Sequence, residues 1–456
     1  MSAGGTWTVQ NKVRPGAYIN FKAVAENTAE VGAVGTVTAA LPMNWGPSGE
    51  LITLYGSDLN DGSSLAKIGC TVDDIEESLP YRLLLSNCYK ALLFRADAGG
   101  VKATGALTTV GDINAKYAGT VGNKISVSIT AATPSALYSR VKVFVNSILQ
   151  ETFDVLTARC DGLEAIESEW VDFVIDAGQE ATAIPATSGI TLASGTNGTV
   201  TSTIATTYFG LIETAQWSCM TISSIDAAFA PLIYAEILKL RDSAGKKVQG
   251  VVYNDVSNDY EGIVAVKQGF KTAGDTVTTA LFPLWVASLL AGAQAYESKT
   301  AFLVSGATEI TGAISDDLIG DATSEGWFLL SYRQDGAVVV EKDVNCLHTF
   351  TADKPYAFSK NRVIRTLDEI GNSIALKFNT SFAGKVDNDA AGRLTFKSTI
   401  IEMMNALQGK NAIQNFNGTN DVTVLAGTDI DAVVVDLAVQ PMDSMEKLYM
   451  TVNVSV

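Results

Sequence analysis

Histidine is almost missing from this chain: among its 456 residues there is one, His348. A zinc site of the HExxH kind needs two histidines, and a Ser-His-Asp or Cys-His site could use only this one. No GxSxG motif is present to supply a serine nucleophile. Cys346 would share a face with His348 in an extended segment. A hydrolase with a thiol–imidazole pair is therefore one alternative, beside the commoner packed or surface histidine.

Cysteine is also scarce, and no two of the five cysteines have a CxxC spacing. This excludes a disulfide framework and a zinc ribbon, and it predicts buried, reduced thiols. Residues 1–7 lack the basic and apolar regions of a signal peptide. The longest apolar run, 281–295, contains Pro283 and is shorter than the ~20 residues of a membrane-spanning helix. We therefore expect a soluble protein made in the cytoplasm, without direct membrane insertion.

Basic residues are few, because 32 Lys and Arg stand against 49 Asp and Glu, a formal net charge of −17. Such acidity argues against nucleic acid as a partner. The Gly-Lys pairs lack the upstream glycine of a Walker A loop, and no third glycine completes a dinucleotide loop. The acidic pairs have no calcium-loop spacing. We therefore predict no catalytic residues, no cofactor and no metal.

What the chain does have is apolar residues, 47% of the total, enough for two or three domains. Alternation at Ile125, Val127 and Ile129 predicts strands within a Gly-, Thr- and Ser-rich region that ends in glycines on both sides. Around it, strands and helices alternate, with predicted helices at 231–240, 284–296, 359–382 and 397–407 and strands at 250–253 and 338–340. The expected fold is a mixed α/β (α+β) core with an inserted small, β-rich, barrel-like domain.

Both ends of the chain show strand periodicity. Residues 17–21 alternate briefly, and residues 448–456 alternate more regularly than any other segment. Nothing follows the second segment that could turn back and pair with it. We therefore expect it to add to a sheet, in its own subunit or in a neighbour.

The region 342–410 reverses the overall charge, with ten basic residues and seven acids. It contains the clearest helix, for which Ser359 is the predicted N-cap and Arg365 with Glu369 a predicted i,i+4 ion pair. A helix break or kink is predicted at Pro80 in an earlier helical pattern. One face of the basic region could meet an acidic partner, and a mixed, solvated helix surface is the alternative.

Several long motifs resemble contractile phage tail sheath proteins, including phage-like-element and R-type bacteriocin sheaths of Gram-positive bacteria. The motifs cover nearly the whole chain: NKVRPGAYINF (11–21), YAGTVGNKISVSI (117–129), RDSAGKKVQGVVYN (241–254), YEGIVAVKQGF (260–270), LWVASLLAGAQAYESKT (284–300), DKPYAFSKNRVIRTLDEIGNSI (353–374), GKVDNDAAGR (384–393) and VQPMDSMEKLYMTVNVSV (439–456). One departure is Cys346, where the family leads us to expect a small polar residue.

The resemblance implies a structural subunit and not an enzyme. Such subunits form stacked hexameric rings around a tail tube and contract to drive the tube through a cell envelope. The implied partners are further copies, the tail tube protein, and baseplate and tail terminator proteins. The implied location is a virion tail or phage-tail-like particle, assembled in the bacterial cytoplasm and released by lysis. The alternative is a surface- or glycan-binding module on the inserted β domain.

The resemblance also implies a division of the chain and a set of functional residues. The expected parts are an N-terminal arm (1–22), a core (23–97 and 199–438), an inserted outer β domain (98–198) and a C-terminal arm strand (439–456). The expected intersubunit arm strands consist of Ala17, Tyr18, Ile19, Asn20, Phe21, Leu448, Tyr449, Met450, Thr451, Val452, Asn453 and Val454. The candidate basic residues facing the tube or a neighbour are Lys360, Arg362 and Arg365.

Overall fold

A computed structural model of the chain describes residues 4–5, 17–18, 35–133 and 135–454. It divides into two units, Met1–Val31 and Gly32–Val456. In the first unit, Ala17–Tyr18 forms a parallel strand pair with Gly4–Gly5. Ile19, Asn20 and Phe21, which belong to the predicted N-terminal arm strand, lie outside the described residues.

A six-stranded sheet forms the centre of the second unit. Its strands, in spatial order, are Ile263–Val266, Gln249–Tyr253, Cys219–Ile222, Thr36–Leu41, Lys90–Arg95 and Leu51–Tyr55. All neighbours are parallel except the last pair. Thr36–Leu41 is buried at every position, as expected for a parallel strand covered on both faces.

Helices cover the two faces of this sheet. Phe282–Ala291 is buried along its whole length in the cluster that contains Val37 and Leu41. Ile204–Thr214 and Phe229–Leu238 pack in the cluster on the opposite face. No helix in the described ranges is long and apolar enough to cross a membrane.

Shorter elements surround the central sheet. The helix Ile75–Leu84 runs through Pro80, so of the predicted break or kink the break is wrong. The other short helices are Gly56–Asp61, Ser64–Ile68, Asp161–Glu164 and Asp316–Ser324, with 3-10 turns at Thr120–Lys124 and Tyr356–Ser359 and a π-turn at Lys239–Ser243. The small antiparallel pairings join Gly269–Thr272 with Thr276–Val277 and Ala307–Thr311, and Leu330–Tyr332 with Val338–Val340.

Two sheets between residues 102 and 191 enclose a separate hydrophobic cluster. One has the order Ile148–Leu156, Tyr138–Val145, Ile125–Ala131 and Thr187–Thr191, and the other Val171–Ile175, Gly111–Ala118 and Lys102–Leu107. The chain leads into and out of this region through an antiparallel pair, Asp97–Ala98 with Thr199–Val200. Trp45, from outside the region, is part of its cluster.

The C-terminal part has its own apolar cluster, built by two helices and a hairpin. The helices are Asn361–Ser381 and Ala390–Gly409, and the hairpin pairs Val422–Ala426 with Val433–Leu437. Ile413–Gln414 pairs with Gln440–Pro441. With several sheets and helices throughout, the predicted mixed helix-and-sheet class is confirmed.

Ser359 is not the N-cap of the long helix, contrary to the sequence prediction. Lys360 occupies that position, and its side chain makes no capping hydrogen bond. The Ser359 hydroxyl instead donates to the Tyr356 carbonyl at 2.8 Å, because a 3-10 turn precedes the helix.

Candidate functional site

The segment 448–454 stands out because its apolar side chains face solvent. Leu448 is 84% exposed, Val452 68% and Val454 79%. No strand is formed by these residues, and they make no hydrogen bond with the rest of the described chain. The strand predicted there is therefore not formed within the single chain, because an extended segment needs a partner strand. We call 448–454 the tail.

The tail is anchored just before it begins. The Met442 amide donates to the Ala412 carbonyl at 2.9 Å. Glu446 pairs with the Lys360 ammonium and accepts a hydrogen bond from the Thr300 hydroxyl at 2.8 Å. Asp443 lies 3.8 Å from the same ammonium. We call residues 442–446 the strap.

The three basic residues singled out from the sequence are not on the surface. Lys360 is 3% exposed, Arg362 8% and Arg365 9%. The expectation that they face a tube or a neighbour is therefore not met in this conformation. The reason is that the strap and the neighbouring loops already occupy or cover these groups.

Arg365 also has a different partner from the predicted one. Its Nη2 lies 2.5 Å from Asp343 Oδ2 and donates to the Glu297 carbonyl at 2.8 Å. Glu369 instead accepts a hydrogen bond from the Ser373 hydroxyl at 3.1 Å. The helical i,i+4 rule fails here because Asp343 is buried and places its carboxylate in direct reach.

Arg362 differs from Lys360 and Arg365 because its guanidinium has no carboxylate within 4.0 Å among the described residues. Its Nη2 donates to the Asn411 carbonyl at 3.1 Å, and its Nε has no partner. Burial lowers the pKa of this guanidinium, although the Asp443 carboxylate opposes the shift. Lys360 and Arg365 are thus neutralised inside the chain, whereas Arg362 is buried without a carboxylate partner among the described residues.

The hairpin offers a site that can accept an extended segment. It has two strands, so each strand has one edge without a partner among the described residues. A groove of about 310 Å³ runs between Val422–Ala426 and the helix Ala390–Gly409. Leu394 is 64% exposed and Leu425 58%, and the full lining is Ala390, Arg393, Leu394, Lys397, Val424, Leu425 and Ala426. Sequence reasoning missed this site, although the valine run at 433–435 was a signal for it.

The thiol–imidazole pair, which the sequence left open as an alternative, is not formed. His348 Nδ1 lies 2.7 Å from the Cys346 carbonyl oxygen and 3.4 Å from Asp259 Oδ1. The Cys346 thiol is fully buried, and burial raises its pKa above the ordinary range. The geometry therefore gives no reactive thiolate for a hydrolase. Among the described residues, no three His, Cys, Asp or Glu side chains form a group suited to a metal ion.

Among the described residues of the inserted region, the aromatic side chains do not form an exposed row; Tyr138, at 42%, is the most exposed of them. Trp170 is 2% exposed and stacks on Trp45 with ring centroids 5.3 Å apart. Tyr117 packs edge-on against the same ring at 5.2 Å. These rings serve the core, which does not favour the glycan-binding alternative.

Comparison with known protein families matches two long parts of the chain. Residues 198–346 match the phage tail sheath protein central domain, and residues 353–455 match the phage tail sheath C-terminal domain. The chain therefore belongs to the phage tail sheath family, as the sequence motifs predict. It is a sheath subunit, a component of a virion tail or tail-like particle.

Particular relatives match over nearly the full length. The phage-like element PBSX protein XkdK of Bacillus subtilis is 30% identical over 99% of this chain and 100% of its own. The sheath tail protein of Desulfitobacterium hafniense is 32% identical, with a TM-score of 0.79 over 94% of this chain and 98% of that one. The sheath tail protein Lin1278 of Listeria innocua is 28% identical, with a TM-score of 0.78 over 90% and 92%. The predicted sheath fold is thereby confirmed.

Proposed function

We propose that the chain polymerises as stacked hexameric rings around a tail tube and contracts to drive that tube through a cell envelope. The observation that carries the proposal is the tail, whose alternating apolar side chains lie in solvent in the single chain. Exposed, strand-patterned apolar segments are unfavourable in a finished structure unless another chain covers them.

The groove beside the hairpin is the proposed acceptor. A tail from another copy would extend along the free edge of Val422–Ala426 and form main-chain hydrogen bonds there. Alternate apolar side chains, such as Leu448, Met450 and Val452, would then cover exposed Leu394 and Leu425. The N-terminal arm strand around Ala17 and Tyr18 is proposed to pair with a neighbouring copy in the same manner.

Contraction is proposed to proceed with these strand contacts intact. Main-chain hydrogen bonds tolerate a change in the orientation of the two bodies, so the arms can act as tethers while the globular faces separate and dock again. The energy is set at assembly and released when neighbouring subunits bury more complementary surface.

The remaining partners and the location follow from family membership and are proposals for this chain. They are a tail tube protein inside the polymer and baseplate and terminator proteins at its ends. Residues 98–198 are proposed to be the outer domain and 23–97 with 199–438 the core. Assembly is proposed to occur in the cytoplasm of a bacterial host, with release by lysis, for either an infectious phage or a headless bacteriocin.

Negative-stain electron microscopy of the purified, concentrated chain tests the proposal. We expect hollow, striated cylinders from the full chain. A chain ending at Lys447 should keep its melting temperature and form no cylinders, because residues 448–454 make no hydrogen bond with the rest of the described chain and their apolar side chains lie in solvent. The matched control is Ile148→Ser with Leu149→Ser, which removes two exposed apolar side chains elsewhere and should leave polymerisation intact.

Two results would contradict the proposal. Normal cylinders from the shortened chain would show that the tail is not an assembly strand. Failure of the shortened chain to fold would show that the strand belongs to the sheet of its own subunit. If the full chain stays monomeric, co-expression with a tail tube protein decides whether the polymer needs a template.

A further inference from the structure

The strap is held by a buried charge pair at the start of the long helix. Lys360 is 3% exposed, and its ammonium contacts the Glu446 carboxylate. The second carboxylate oxygen of Glu446 accepts a hydrogen bond from the Thr300 hydroxyl at 2.8 Å. Both oxygens of this side chain, which is 13% exposed, are therefore engaged with the body of the subunit.

The groups that hold Glu446 are themselves fixed. The Thr300 hydroxyl accepts a hydrogen bond from the Asp343 amide at 2.9 Å. The Asp343 carboxylate, in turn, pairs with Arg365 at 2.5 Å and accepts from the Asn361 side-chain amide at 3.0 Å. Asp343, Asn361 and Arg365 are buried, and Thr300 is half-buried. The hydrogen bonds among them fix the position of the Thr300 hydroxyl that holds Glu446.

Glu446 is also the last residue of the described chain that is tied to the body in this way. Only Lys447 separates it from Leu448, which is 84% exposed and begins the free tail. The boundary between anchored and free chain therefore lies within two residues.

We infer that the Lys360–Glu446 pair is a latch that sets the reach of the intersubunit tail, an inference that rests on the proposed function. With the latch closed, the free strand begins at Lys447. With it open, residues 443–446 can join the tail, and each extended residue adds about 3.3 Å. Glu446 and Lys360 are positioning residues for assembly, because they determine how far a neighbour's acceptor groove can lie from the body.

The chemistry favours the closed latch. An unpaired ammonium in a buried position is strongly disfavoured, and Glu446 is its nearest carboxylate. Replacing Lys360 with methionine removes the charge but keeps an unbranched side chain of similar length. The Glu446 carboxylate can then turn to solvent, and the strap loses its strongest attachment.

Trypsin cleavage after Lys447 measures the opening of this latch in the dilute, unpolymerised full chain. A protease needs several extended residues on both sides of the bond, so 444–446 must leave the body before cleavage. Intact-mass spectrometry detects the loss of 448–456. Lys360→Met and Thr300→Val leave the sequence around Lys447 unchanged, so a change in rate reports opening alone.

We expect at least tenfold faster cleavage in Lys360→Met and a smaller increase in Thr300→Val. The matched control is Lys410→Met, which removes an exposed lysine that has no ion pair among the described residues and should cleave at the wild-type rate. Rates within twofold of wild type in both test variants, with unchanged circular dichroism, would overturn the latch.

Electron microscopy of the same variants tests the link to assembly. Lys360→Met should form fewer or irregular cylinders under conditions in which the wild type forms regular ones. Regular cylinders from this variant, together with faster cleavage, would overturn the role in setting reach. Absence of cylinders from the wild type even when it is co-expressed with a tail tube protein would instead count against the proposed function, while the cleavage rates would still decide the latch.

Discussion

Arg95 and Asp97 form an ion pair in which both side chains are 1% exposed, with Nη2 2.7 Å from Oδ2. The pair lies where the chain leaves the central sheet for the inserted region. Arg95 Nη1 also donates to the carbonyls of Gly46 and Ala118, and Asp97 accepts from the Gly198 amide at 3.1 Å. One buried pair therefore connects the central sheet to both ends of the insertion.

The Arg95–Asp97 pair predicts that the folded chain loses stability in acid. Burial alone would raise the pKa of Asp97, but the Arg95 guanidinium and the amides of Met43 and Gly198 outweigh it and hold the pKa below its ordinary value. A carboxyl with a lowered folded pKa stabilises the fold above its unfolded pKa of about 3.9, and the contribution is lost as the pH falls through the folded pKa.

Asp97→Asn should therefore cost about 3–5 kcal/mol at pH 7, because Arg95 is left buried without a carboxylate. The difference from wild type should shrink below about pH 4, because the unfolded wild-type chain then binds a proton at Asp97 that the folded chain, with its lower pKa, still excludes. Urea unfolding of the two proteins at pH 7, 5 and 3.5 measures the loss of stability at pH 7 and its decrease in acid. A difference that stays constant across this range would show that the ion pair is not the cause.

Trp45 predicts that the insertion cannot be removed without a compensating change. Its indole is fully buried in the cluster of the inserted region, and Nε1 donates to the Ala66 carbonyl at 3.0 Å. Trp45→Ala should destabilise the chain by about 3–5 kcal/mol. Deletion of residues 100–197 should give insoluble protein, and Trp45→Ser in the same deletion should restore solubility. Equal solubility of the two deletions would contradict this role.

Arg362 and Arg365, one helical turn apart, should respond in opposite ways to substitution by methionine. Arg362 has no carboxylate partner among the described residues, so its replacement should leave stability unchanged or raise it. Arg365→Met should cost about 3–5 kcal/mol, because Asp343 at 1% exposure would lose its partner. Thermal melts of the two variants provide the comparison. Equal losses of stability would contradict the finding that Arg365, but not Arg362, has a carboxylate partner.

The cysteine thiols should be unreactive in the native chain. All five cysteines are free and buried, and burial raises the pKa of Cys70 to about 12 and of Cys88 to about 11. Since the thiolate is the reactive form, none should react rapidly with Ellman's reagent at pH 8, and all five should react in urea. A fast-reacting thiol in the native chain would mean that its surroundings open readily.

Local sequence pattern was enough to predict some individual strands and helices. Three consecutive valines predict Val338–Val340, and the structure has the same bounds. The 3.6-residue repeat predicts a helix at 359–382, and the structure has Asn361–Ser381. Burial of all five cysteines was likewise predicted from their spacing and scarcity.

The rest depends on contacts that no local rule contains. Arg365 pairs with Asp343, 22 residues away, instead of with Glu369 on its own helix. Trp45 belongs to the core of a region that begins more than fifty residues later. The alternation at 448–454 gives the conformation that a partner would impose, but one chain offers it no partner among the described residues.

The exposed tail and the groove beside the hairpin have a consequence for the proposed polymer. If each copy donates one tail and accepts one, the contact is head-to-tail and does not close by itself between two copies. A stack of such copies has a direction: one terminus presents unfilled grooves, and the other presents unfilled tails. The two termini are therefore chemically different surfaces, and a single capping protein could not fit both.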